Sequence, residues 1–396
     1  MSIRDSWTVF THELTNTLRD RRTWLTMVVI PLLMVPLLLI AAPTAIENQN
    51  QRIASSPPVI AVVGGEHAPG LETMIAQSGG LSVSTVDDPD RALAAGAIKA
   101  VIRVSPGMQG TSGDGLDVVI EYDASSPASE VARARLEAVV AAYAQRVVAE
   151  RLLERGIDPS ILTPLTATSR NVAPEERIGG YFLAMIMPMM LAVWVVLGGM
   201  YAAIDGVAGE KERGTLEPLL AAPPSRGSLV AGKYVAVLLT SVVAGGIALI
   251  GMYAAFLIKP EAVMGVGADA KFSINLGNAM LIVGISVLLA AFFSAIQLAL
   301  SSVARSFREA QGYLSPLSIA VVIPGVMTQF VDPSEASAAL FYVPVINAIF
   351  VFKEALLDSV DWNHVGVTAV SLLVWIVLAL AVTSQLFKRE SVLFRT

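Results

Sequence analysis

Few residues in this chain have the type and spacing for chemistry. Gly227-Ser-Leu-Val-Ala-Gly232-Lys233 reproduces the first seven positions of a loop that cradles phosphates with backbone N–H groups and a lysine. The eighth position is Tyr234, where a magnesium-binding hydroxyl belongs. No strand pattern precedes the loop and an apolar stretch runs through it, so nucleotide binding is not expected. Lys233 reads instead as a basic anchor at the inner membrane boundary. There is no cysteine, and His12, His67 and His364 are far apart, without ligand spacing. His-Glu-x-x-His and Gly-x-Ser-x-Gly are absent. Asp87, Asp88 and Asp90 read as a solvated loop rather than a cation site. The chain is expected to contain no catalytic residue and no metal site, and to bind no cofactor itself.

The unusual segment is Gly-Glu-Lys-Glu-Arg-Gly-Thr-Leu-Glu-Pro-Leu-Leu-Ala-Ala-Pro at 209–223, in which seven of fifteen residues are charged or proline. It lies between two stretches apolar enough to cross a bilayer and cannot itself lie in hydrocarbon. Glu210, Lys211 and Glu212 are expected just past the membrane edge. Thr215 and Glu217 can open a short helix with Leu216, Leu219 and Leu220 as its apolar face. Pro218 is tolerable near the start, and Pro223 and Pro224 stop the helix. Such a helix can dock in a groove of a soluble partner.

These residues need a membrane scaffold. Of 396 residues 54% are hydrophobic and only 15% charged, below the quarter usual in soluble domains, which marks an integral membrane protein. The net charge of −6 gives no reason to expect nucleic acid. Six stretches, roughly 24–46, 178–204, 229–258, 276–303, 313–330 and 365–387, are near or above the ~20 residues that span a bilayer. Pro31, Pro36, Pro188 and Pro324 fall inside them and would kink a helix. With the N-terminus inside, thirteen Lys and Arg fall on inner segments and three (Lys259, Lys271 and Lys353) on short outer ones. That bias places both termini in the cytoplasm. Residues 1–23, with Trp7, Phe10, Leu14 and Leu18 at spacings of three and four, read as an amphipathic helix on the inner membrane surface.

Residues 47–177 read as an extracytoplasmic α/β domain with 17 acids against 11 bases. Strands are expected at 59–63, 81–86, 98–104 and 116–122, and helices at 71–77 and 89–95. A long helix comes next, N-capped by Ser126 with Pro127 in its first turn and ended by Gly156. Leu136, Val139, Val140, Tyr143 and Val147 form its apolar stripe.

The five later spans (178–387) carry the charged loop 205–228 and precede a tail at 388–396. They look almost free of ionisable groups, offering Gln297 and the amides Asn278 and Asn347 but no buried carboxylate. An ion-coupled secondary transporter normally needs such groups at mid-membrane, so an external energy source is expected. Residues 340–357 are too short to cross and read as a re-entrant segment turning at Pro344 and Asn347.

The 210–223 segment resembles the signature loop of ABC type 2 exporter permeases. Ala304-Arg-Ser-Phe-Arg-Glu-Ala-Gln311 and Val343-Pro-Val-Ile-Asn-Ala-Ile-Phe-Val-Phe-Lys-Glu354 look like the sodium-extruding, NatB-type branch of that family. The resemblance implies a coupling helix containing Glu210, Lys211, Glu212, Arg213, Gly214, Thr215, Glu217, Leu219, Leu220 and Pro223. A second cytoplasmic turn would hold Arg305, Arg308 and Glu309. Pro344, Asn347, Lys353 and Glu354, with Gln297, would belong to the re-entrant pathway. It also implies a separate ATP-binding subunit carrying ATP and Mg2+, and a second copy or related permease as partner, in the plasma membrane. The substrate would be sodium or an amphiphile, drug or peptide. An alternative from another class is a membrane-anchored sensor working through its outer domain.

Overall fold

The structure is a computed structural model describing residues 3–55, 57–106, 116–162, 175–215, 225–260, 263 and 274–389. The chain forms two units, Met1–Thr44 with Val172–Thr396, and Ala45–Asn171.

The first unit is helical. It begins with α1 (Ile3–Arg19) and α2 (Arg21–Trp24), then a wide π-helical turn Leu25–Val29 and α3 (Ile30–Ser55). Asp20 starts α2, its carboxylate accepting from the Thr23 amide at 3.3 Å and the Thr23 hydroxyl at 2.8 Å. Later come α7 (Glu175–Ala203), a second π-helical turn Ile204–Gly209, and α8 (Glu210–Glu212). The remaining helices are α9 (Arg226–Ile258), α10 (Leu276–Val303), α11 (Phe307–Thr328), α12 (Ile346–Leu356) and α13 (Trp362–Lys388). Among the described residues six helical stretches are long and apolar enough to cross a membrane: Leu25–Ala45, Leu183–Glu212, Arg226–Ile258, Leu276–Val303, Phe307–Thr328 and Trp362–Lys388.

Close packing here depends on small residues, as is usual where lipid removes the hydrophobic drive between helices. A Cβ on Gly198 of α7 would sit 2.2 Å from the Ala244 Cβ of α9. One on Gly199 would sit 2.2 Å from Ser241 Oγ and 2.7 Å from Gln297 Oε1. The backbones of α7 and α9 therefore touch where a side chain would hold them apart. The bundle core joins Val35, Leu191, Val195, Leu289, Phe293, Phe352 and Leu372.

The second unit contains the sheet. Its strands β1 (Val59–Val63), β2 (Ser82–Val83), β3 (Ala100–Pro106) and β4 (Leu116–Tyr122) lie in the order β2-β1-β3-β4. The first three are parallel and β4 is antiparallel to β3. Helices α4 (Leu71–Gln77) and α6 (Pro127–Glu154) share one core with the sheet, around Ile60, Leu71, Ile75, Ile102 and Leu136. On the other face, residues of α5 (Pro89–Ala94) join a smaller core around Ala61, Ile98 and Val101. Ser126 caps α6, its hydroxyl accepting from the Ser129 amide at 3.4 Å. The expected strand 81–86 shortens to two residues. Asp87 lies beyond it and Asp88 caps α5, accepting from the Arg91 amide at 3.0 Å. Asp90 pairs with Arg103, which also holds Glu121 at 2.9 Å, so Asp88 and Asp90 of the acidic run have structural partners. These two carboxylates raise the Arg103 pKa, with the Glu121 hydrogen bond as the largest cause.

Candidate functional site

The second span does not stop near residue 204. Its helix widens into the π-helical turn Ile204–Gly209 and ends in α8. A π-turn adds one residue to the repeat and so rotates the helix beyond it. Gly214 (φ 71°) then ends the helix, and the Thr215 amide bonds the Glu210 carbonyl at 3.0 Å. The resulting arm, residues 204–215, is hydrogen-bonded to α9, α10 and α11.

Lys211 Nζ donates to the carbonyl of Ser302 and, at 3.2 Å, to that of Ala304, filling acceptors left open at the end of α10. The Ala208 amide donates to Ser301 Oγ at 3.4 Å. Glu212 accepts from the Phe307 amide at 2.7 Å, at the positive end of α11. Arg213 turns back to Asp205 at 2.8 Å, and the Arg213 pKa shifts upward, chiefly through that bond. Ser306 caps α11, accepting from the Glu309 amide at 3.3 Å. Glu309 in turn accepts from the Arg305 amide at 2.8 Å and the Tyr313 hydroxyl at 2.6 Å, a variant of the capping box. The side chains of Arg305 and Arg308 are exposed.

Two expectations are corrected at this end. Glu210 does not lie free past the membrane edge: it is 6% exposed, because the π-turn rotates it inward. Lys233 is not an interfacial anchor but is 1% exposed. Its ammonium donates to Glu13, to the Gly206 carbonyl at 2.6 Å and to Glu210 at 2.9 Å. All three N–H groups are used. α1, expected as an amphipathic helix on the inner membrane surface, is also packed against α9. Its Glu13 and Phe10 are buried, while Trp7 and Leu18 remain exposed. Contact is close because Gly232 has no side chain: a Cβ there would meet Val9 Cβ at 2.6 Å. The reading of 227–233 as other than a nucleotide loop agrees with its place in the first turns of α9.

The 340–357 segment is a 3-10 turn Ala338–Tyr342, a bend at Pro344 and the helix α12. Val345, before the helix, has φ 77° and ψ −58°, a strained conformation for a β-branched residue. Asn347 is buried, its amide donating to the Phe341 carbonyl at 3.2 Å. Lys353, expected in an outer loop, is buried and donates to the carbonyls of Thr328, Gln329 and Val331 at 3.0, 3.1 and 2.6 Å, closing the end of α11. Glu354 is 3% exposed, accepts from the Asp361 amide at 3.2 Å and pairs with His364 at 2.6 Å. The expectation of no buried carboxylate therefore fails for Glu210 and Glu354, which pair with the buried Lys233 and the half-buried His364. Gln297 is fully buried in α10 and donates to the Val196 carbonyl at 2.7 Å; its Oε1 meets no partner among the described residues.

Sequence reasoning missed Glu13. The available signal was a carboxylate three residues from Phe10, on the stripe that should have been apolar. Leu216, Glu217, Pro218, Leu219, Leu220, Pro223 and Pro224 lie outside the described residues. No group of three or more His, Asp or Glu that could hold a metal occurs among the described residues.

Six bilayer-length helices among the described residues define a multi-pass membrane protein. The sequence profile described as ABC-2 family transporter protein matches residues 7–392, and the chain belongs to that family. It is 26% identical over 360 residues to a Bacillus subtilis (strain 168) protein named ABC transporter permease protein NatB. The match covers 89% of this chain and 90% of the relative. The chain is thus an ABC transporter permease subunit of the ABC-2 type.

Proposed function

We propose that the chain exports its substrate by alternating access, driven by a separate ABC ATPase that seats on the 205–228 segment at the cytoplasmic side. One observation carries this reading. The arm 204–215 is tied to the adjacent ends of three helices: to α9 through Lys233, to α10 through the Ser302 and Ala304 carbonyls, and to α11 through the Phe307 amide. A push on the arm therefore reaches three spans together, as rigid-body rocking requires. Glu217, Leu219, Leu220 and Pro223 would supply the docking surface, and Arg305, Arg308 and Glu309 a second contact. ATP and Mg2+ would sit in the partner, and two copies of the chain or a related permease would form the pathway.

The NatB-type resemblance points to sodium. An apolar cavity of about 180 Å³, bounded by Leu183, Met187, Met252, Tyr253, Ile282 and Leu356, favours an amphiphile instead. The strained Val345 at the start of α12 supports a role for this re-entrant segment in the pathway. The test is ATP hydrolysis by the reconstituted complex, with sodium and amphiphiles supplied side by side. Stimulation by one class and not the other assigns the substrate. If no ATPase co-purifies with the solubilised chain, and Glu212→Ala with Glu217→Ala leaves cells unchanged, the exporter reading fails.

A further inference from the structure

The cluster of Glu13, Lys233 and Glu210 joins elements that the sequence keeps far apart. Glu13 lies on α1, Lys233 in the second turn of α9, and Glu210 at the start of α8. The lysine and glutamate side chains are 1–8% exposed, so water does not screen them. Two glycines bring the elements this close. A Cβ on Gly232 would lie 2.8 Å from the Ser6 carbonyl oxygen, and one on Gly206 would lie 3.3 Å from Glu13 Oε2. The carbonyl of Gly206, within the π-turn, takes the third donor of Lys233. Widened turns of this kind recur at functional positions.

We infer that α1 is a moving part of the coupling apparatus, latched by Glu13 through Lys233 to the arm 204–215, so that Lys233 and Glu13 are positioning residues for transport. The inference rests on the exporter reading. A helix tied to the arm by a buried ion pair at a close-packed crossing moves with the arm when the arm moves. The pair can also be cut on the α1 side alone: removing the Glu13 carboxylate leaves Lys233 bound to Glu210 and Gly206. An inert amphipathic anchor would need no buried ion pair with the third span.

The chain has no native cysteine, so a reporter at Ala339, exposed at the opposite end of the bundle, is the one thiol on this subunit and is read in its own band after the ATPase is separated from it. The experiment measures maleimide labelling of Ala339→Cys in the purified complex with its co-purified ATPase, with and without ATP plus vanadate. With native Glu13 and Lys233 the rate should change severalfold with nucleotide. Glu13→Lys should abolish that change, and Glu13→Lys with Lys233→Glu, which restores one cation and two acids, should recover at least half of it. Glu13→Gln, which keeps the shape, should weaken the response while the melting temperature stays near the native value. A full response in Glu13→Lys or Glu13→Gln overturns the inference, as does a charge-swapped protein that melts like the native one yet stays silent. Absence of a response in the native chain also counts against it. Absence of any co-purifying ATPase sinks the exporter reading and leaves the ion cluster standing as structure.

Discussion

Removing Lys233 should be far more damaging than removing either of its acids, and the geometry sets the size of the effect. Lys233→Met leaves Glu13 and Glu210 buried side by side with no cation between them, since both accept from the same ammonium. Stripping one partner from a buried ion pair costs about 3–5 kcal/mol, because the remaining charge is uncompensated. At about 2–4 °C per kcal/mol that is a fall of about 6–20 °C in melting temperature, nearer the lower figure for a chain this long. Glu13→Gln removes the surplus acid, keeps an oxygen acceptor and leaves a neutral Lys233–Glu210 pair, at a cost of about 1 kcal/mol or less. Replacing all three groups at once (Glu13→Gln, Lys233→Met, Glu210→Gln) removes every buried charge and should recover most of the loss. Thermal unfolding in detergent, monitored through the five tryptophans, measures all three variants. If Glu13→Gln melts as low as Lys233→Met, or the triple variant stays as low, then packing rather than unpaired charge holds this end together and the reasoning is wrong.

Gly199→Ala should cost about 1–3 kcal/mol by overpacking, because its new methyl would lie 2.2 Å from Ser241 Oγ; Ser241→Ala in the same chain should return part of that in the same melting assay. Gln297→Met should shift stability by about 1 kcal/mol or less, since it trades one hydrogen bond for relief of an unpartnered acceptor; a large loss would mean that Oε1 holds a group essential to the fold. Lys353→Met should loosen the end of α11, and hydrogen exchange in the peptide around 325–332 should rise by an order of magnitude or more, as the three carbonyls lose a charged donor worth about 1.5–3 kcal/mol in all. Asp123 has its pKa lowered, first by the Ser125 hydroxyl and then by the Ser125 amide. A depressed carboxylate stabilises above its unfolded value and loses that contribution as pH falls through the folded one. Exchange in peptide 123–130, corrected for intrinsic rate, should therefore rise on acidification below the usual carboxylate range, and Asp123→Ala should flatten the trend.

How much the sequence revealed depends on how local each signal is. Six spans were legible because crossing a bilayer demands a run of apolar residues whatever the neighbours are. Ser126 and Pro127 announced the start of α6 because a cap acts within one turn. The 81–86 alternation overstates its strand: alternation favours extended chain, but Asp88 as a cap for α5 draws the backbone out of the sheet early. Glu210 reads as solvent-facing because residues 209–213 look soluble; the π-turn that rotates it inward has no short-range signature. Glu13 and Lys233 are 220 residues apart, and no periodicity links them.

The charged groups of this bundle divide by what they hold. Lys353 closes the end of α11, Lys211 closes the end of α10, and Glu212 sits at the start of α11: each satisfies backbone groups that a helix end leaves open. Such contacts would be useful in any helical bundle and identify no mechanism. Lys233 differs because two of its three partners are side chains from separate elements, and because apolar packing at Gly232 already joins α1 to α9. Neutral or apolar side chains at 13, 210 and 233 together would serve stability as well. A buried charge kept where stability does not require it ties α1 to the arm in a single register, and a tie of that kind matters to a part that moves.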